Sequence, residues 1–125
     1  MTFPLLLLHI IALSLTILIE ISVALLSGYR DRKALKTVLI AQILTNPIVV
    51  LISNACVLYT NLPYLAFQLP LEIAAVCAEW QIYKRFAATI THPFLFSLAA
   101  NTISYTIGYV LSCLGAFNVL WSFLF

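Results

Sequence analysis

Long apolar runs constrain this chain more than any other feature. Residues 3–27 contain one charged side chain, Glu20, and residues 37–71 contain none. At about 1.5 Å of rise per residue, a helix of roughly 20 residues crosses the ~30 Å hydrocarbon core of a bilayer. The runs do not alternate apolar with polar residues, as a membrane β-strand must. They predict an all-α, polytopic membrane protein with four transmembrane helices in a bundle. Composition agrees, with 8% of residues charged and 64% hydrophobic; a water-soluble domain usually has about 25% charged residues.

The spans are read at about 3–27, 35–59, 64–83 and 94–115, within a single transmembrane domain covering 1–125. Gly28 ends the first span, and Tyr29-Arg30-Asp31-Arg32-Lys33 follows as a charged loop. Pro63 suits the first turn of the third helix and Pro93 that of the fourth. The tail from Ala116 is expected either to extend the helix or to lie at the interface, where Trp121 fits. The N-terminus has no basic region and no small-residue cleavage site, so it does not read as a cleaved signal peptide.

The six basic residues fall in two clusters: Arg30, Arg32, Lys33 and Lys36, then Lys84 and Arg85. With four spans, loops 28–36 and 84–92 share one side. The positive-inside rule places that side in the cytoplasm of a cell-membrane protein, with both termini outside. A net charge of +2 in two clusters is not the footprint of a nucleic-acid binder. Cys56, Cys77 and Cys113 have no C-x-x-C spacing and read as packing residues.

Polar residues inside the spans carry the functional signal. Counted inward from the basic loops, Glu20, Asn46, Glu72, Glu79 and Asn101 lie roughly 8–18 Å deep; Asn54 and Gln68 lie farther out. Glu72 and Glu79 are seven residues apart and share a helical face, which Tyr83 continues. Gln42, Thr45 and Asn46 form a second stripe, Asn101, Ser104, Tyr105, Gly108 and Ser112 a third, and Thr16, Glu20 and Ser27 a weaker fourth. A lipid-facing carboxylate costs about 2.5–3.5 kcal/mol on insertion scales, so the stripes are expected to turn inward. The candidate ligand-binding residues are Glu20, Asn46, Glu72, Glu79, Asn101, Tyr83 and Ser104.

Each candidate has a structural alternative. A single Asn or Ser in a span commonly ties helices together. Glu79 could pair with the nearby Lys84, and Glu20 with the first basic loop. Glu72 is the deepest acid and has no basic residue at its depth, so it is expected to lead the site. His92 could join Glu79 in a metal site, but no metal motif such as H-E-x-x-H occurs, and the metal and any cofactor stay open. Pro47 and Pro70 each free a backbone carbonyl, which would suit a cation if the break lined a cavity.

The two halves share an order of landmarks: Glu20, Tyr29-Arg30 and Thr45-Asn46, then Glu79, Tyr83-Lys84-Arg85 and Ala100-Asn101. This pattern allows a parallel two-helix repeat, with a pseudo-axis along the membrane normal.

Thr45-Asn46-Pro47, the E-x6-E-W-x2-Y pattern from Glu72 to Tyr83, and Asn101-x2-Ser104-x3-Gly108 resemble those of small, uncharacterised bacterial four-span membrane proteins. The resemblance implies a fold and no activity. In size the chain is similar to small multidrug transporters and fluoride channels. It lacks the early acid in the first span of the former and the glycine- and threonine-rich track of the latter.

The leading functional expectation is transport or binding of a cation (proton, metal or organic cation) at an intramembrane acidic and amide site open to the cytoplasm. Partners would be the lipid bilayer and a second copy, as a homodimer. The alternative is a non-catalytic subunit of a larger membrane protein complex. An intramembrane enzyme using Glu72 and Glu79 as acid and base is permitted but not demanded.

Overall fold

The computed structural model describes residues 3–115 and Asn118, with side chains from Leu6 onward. Four helices account for nearly all of it: α1 (Phe3–Leu26), α2 (Arg32–Tyr59), α3 (Tyr64–Phe86) and α4 (Pro93–Cys113). The expectation for the tail, Trp121 included, lies outside the described residues except at Asn118, which is helical and exposed.

Local chemistry sets the helix ends. At the end of α1, Gly28 takes φ +91°. The Tyr29 N–H donates to the Ala24 carbonyl at 2.9 Å and the Gly28 N–H to the Leu25 carbonyl at 3.2 Å. These are the paired bonds of a glycine-terminated helix, satisfying carbonyls the helix leaves open. Helix α2 starts three residues before the expected position because Asp31 caps it, accepting from the Ala34 N–H at 3.0 Å. Asp31 also accepts from the Thr89 hydroxyl at 2.7 Å, which ties the first basic loop to the second. The Thr89 bond, then the Ala34 bond, hold Asp31 below the usual carboxylate pKa range. Pro63 precedes α3 as its N-cap instead of sitting inside its first turn, while Pro93 is the first residue of α4. Helix α3 continues to Phe86, carrying Lys84 and Arg85 in its last turn, where cations favour the helix dipole.

The helices form a closed ring of antiparallel neighbours in which α1 packs on α2, α2 on α3, α3 on α4, and α4 back on α1. Packing is densest toward the basic loops. There Ala24, Ala34, Val38, Ala41, Tyr83, Ala87, Phe96 and Ala100 form one buried cluster. Alanines from α1, α2 and α4, with Ala87 just past the end of α3, let the backbones come close. Tyr29 and Tyr83 both stack on Phe96, with ring centroids 5.5 and 5.3 Å apart. Toward the α2–α3 turn the bundle loosens, and most of Leu51–Tyr59 and Tyr105–Leu114 is exposed.

The outer surface is apolar, with Leu18, Leu44, Leu51, Leu69, Ile73 and Leu95 among its exposed residues. Three helices are long and apolar enough to cross a membrane: Leu6–Leu26 of α1, all of α2 and all of α4. Helix α3 has 23 residues, enough by length, but carries Glu72, Glu79, Lys84 and Arg85. Pro47 and Pro70 lie within unbroken helices, and both are exposed. Pro47 lines an apolar cavity of about 290 Å³ between α1 and α2.

Candidate functional site

Glu20 of α1 and Glu79 of α3 both point into the bundle, 0% and 1% exposed. Gln42 of α2 lies between them. Its Nε2 donates to Glu20 Oε2 at 2.5 Å and to Glu79 Oε1 at 2.9 Å. An amide nitrogen has two hydrogens, so one group serves both carboxylates. Asn46, one turn along α2, donates to Gln42 Oε1 at 3.2 Å and thereby keeps the Gln42 nitrogen toward the acids.

The two acids are not equivalent. Glu79 also accepts from the Thr45 hydroxyl at 2.8 Å, from the Ser97 hydroxyl at 3.4 Å, and from the Asn101 amide. Four donors from α2 and α4 thus surround one carboxylate. Each hydroxyl has one proton and two acceptors within reach, Glu79 or Ala41 O for Thr45 and Glu79 or Val76 O for Ser97, so each can turn from Glu79 without leaving that proton unpaired. Among the described residues, Glu20 has one donor, Gln42, and its Oε1 is buried without a partner. The Tyr83 hydroxyl is likewise buried without a well-formed hydrogen bond among the described residues, beside Gln42 and within electrostatic reach of Glu79 and Glu20. Buried polar atoms are nearly always bonded, so two orphans in one cluster mark a place of chemical interest.

The donors around both acids are amides and hydroxyls, with no Lys, Arg or His among them. Glu79 therefore does not pair with Lys84, nor Glu20 with the first basic loop. Burial wins because the side chains of α1 and α3 at these positions face the bundle axis and the loop cations do not reach it. His92 is exposed at the N-cap of α4 and is not among the donors to Glu79. Among the described residues, no three His, Cys, Asp or Glu side chains lie close enough to hold a metal ion.

A cavity of about 360 Å³ begins at this layer. Gln42 and Glu79 lie at its inner end; Tyr64 and Ser112 lie at its outer end, beside the α2–α3 turn. The densely packed cluster around Tyr83 and Phe96 closes the opposite side. The expectation of a site open toward the basic loops is therefore corrected. The alanine and aromatic contacts seal that end, and the looser half of the bundle leaves the space.

The structure brings Glu20, Glu79, Asn46, Asn101 and Tyr83 into one layer or its immediate contacts. Ser104 is buried on the cavity wall. Glu72 also lines the cavity, but it is half-buried and accepts from Gln68 of its own helix at 2.6 Å. Glu79, not Glu72, is the acid that gathers donors from neighbouring helices. Gln68 in turn accepts from Ser53 at 2.9 Å, a separate tie between α2 and α3. Gln42, Thr45 and Ser97 were absent from the candidate residues. Their signal was position: Gln42 and Ser97 stand four residues before Asn46 and Asn101, one turn along the same faces. The repeat landmarks do not give equivalent contacts, since Asn101 reaches Glu79 whereas Asn46 reaches Gln42 and not Glu20.

Comparison of the chain with protein-family models, with curated proteins and with solved structures gives no match.

Proposed function

We propose that this chain is a four-span integral membrane protein that binds and moves a cation through its Glu20–Gln42–Glu79 layer. Helix α3 crosses with the others: its carboxylates turn inward, and Lys84 and Arg85 sit at the cytoplasmic edge. Both basic loops are cytoplasmic and both termini are outside. The single observation that carries the reading is two fully buried carboxylates sharing one amide, with no basic side chain among their partners. Two buried negative charges cost several kcal/mol each unless compensated. A cation, the proton included, supplies that compensation. The acids then change partners as it comes and goes, because Thr45 and Ser97 each have an alternative acceptor.

The test uses the full chain in liposomes loaded with a pH indicator, and in detergent titrated with Na⁺, K⁺ and Mn²⁺. Wild type moves protons down an imposed gradient or binds one of these ions, and E20Q and E79Q lose that behaviour. Wild type matching both variants in every assay would overturn the reading.

A further inference from the structure

The cavity beyond the carboxylate layer has its own chemistry, and it differs between depths. Amides and hydroxyls line its inner end. Its outer part is lined by three aromatic rings, Tyr64 from α3 and Tyr105 and Tyr109 from α4, together with Glu72. Tyr64 lies within electrostatic reach of both Tyr105 and Glu72, and Tyr105 of Tyr109. Glu72 accepts a single hydrogen bond, from Gln68. The lining includes two carboxylates, Glu72 and Glu79, and no Lys, Arg or His.

Size and donor type narrow what fits. About 360 Å³ falls in the range of small-molecule pockets, ~300–1,000 Å³, and far exceeds the space of a bare ion. A divalent metal would need several oxygens converging at about 2.0–2.6 Å, whereas no group of three metal-ligating side chains forms among the described residues. Tyrosine is also common where helices meet the membrane interface. Tyr59 fits that role, being 85% exposed and no part of the cavity wall. Tyr64, Tyr105 and Tyr109 are also exposed, at 52%, 39% and 63%, but differ in that two helices present them to one space that already holds a carboxylate. Aromatic rings and a carboxylate around one space are the side chains that recognise organic ammonium ions.

We propose that this cavity binds a small organic monocation, an alkylammonium head held by Glu72 and by the rings of Tyr64, Tyr105 and Tyr109. The proposal rests on the cation reading above and names the class of cation. The ion enters beside the α2–α3 turn, loses water against the rings, and comes to rest with the Gln42–Glu79 layer beneath it. Its charge and a proton on that layer compensate the same acids, so binding of one disfavours the other.

The experiment is calorimetric titration of the full chain in detergent with choline and with its neutral isostere, 3,3-dimethylbutan-1-ol. Choline is expected to bind saturably and the isostere not to bind, with proton release on choline binding. E72Q is expected to weaken choline roughly 10- to 100-fold, the scale of a lost charged partner. Y105L is expected to weaken it about 2- to 30-fold while Y105F, which keeps the ring, restores binding. Equal binding of choline and the isostere, or Y105F as weak as Y105L, overturns the organic-cation assignment. Absence of choline binding while Na⁺, Mn²⁺ or proton movement still depends on Glu20 and Glu79 overturns this proposal and leaves the cation reading standing. Loss of both overturns both.

Discussion

At the scale of single residues, the two buried acids differ in what a conservative change does to them. Glu79 is surrounded by donors on both oxygens. Glu79→Gln replaces one acceptor by an NH2 group, which then faces at least one of those donors. An unmet buried donor costs about 1–3 kcal/mol, so E79Q lowers the unfolding temperature in detergent. Glu20 meets one donor, and its other oxygen has none. In Glu20→Gln the new carbonyl keeps the Gln42 bond and the new NH2 replaces an oxygen that already had no partner, so one unmet buried atom is exchanged for another. E20Q therefore unfolds close to wild type while losing cation binding. Equal unfolding temperatures for the two variants would show that the unequal donor sets do not operate.

At the scale of helices, one acid makes the shorter of two side-chain ties between the loops, the other being Tyr29 to Thr91. Asp31 caps α2 and accepts from Thr89, so it joins the start of α2 to the α3–α4 loop. Its folded-state pKa is lowered by these bonds. A lowered carboxylate pKa contributes stability that is present above the unfolded-state value and is lost as pH falls through the folded-state value. D31N should therefore unfold at a lower temperature than wild type at neutral pH, and the gap should close as the pH is taken below the ordinary aspartate range near 3.9. A gap that is constant with pH would assign the effect to geometry, not charge.

At the scale of the whole molecule, the ring of helices is tight at one end and loose at the other. The tight end lies at the basic loops, where small residues and the aromatic rings of Tyr29, Tyr83 and Phe96 meet. Access to the carboxylates should thus be one-sided. In a background with Cys56, Cys77 and Cys113 replaced, Asn46→Cys and Ser112→Cys should react with a membrane-impermeant thiol reagent added to intact cells. Ala24→Cys and Ala87→Cys, both buried in the tight end, should not react. The reverse pattern, or labelling of the first pair only in inverted vesicles, would place the cavity mouth in the cytoplasm.

The sequence by itself determined the number of helices and their approximate ends. Apolar run length is a local property, and Gly28, Asp31 and Pro93 act on their own neighbours. It also marked most of the polar positions, since a carboxylate in an apolar run is costly wherever it falls. It did not determine which acid leads. Depth pointed to Glu72, but the outcome turns on donors from other helices, and Gln42, Thr45, Ser97 and Asn101 come to Glu79 only when α2, α3 and α4 are set side by side. The direction of the cavity was equally out of reach. The bundle closes where Ala24, Ala34, Ala41, Ala87 and Ala100 meet, and an alanine's value as a contact depends on which backbone it faces. Tertiary packing alone chose Glu79 as the hub, left Glu20 and Tyr83 with unpaired oxygens, and placed the space on the side away from the basic loops.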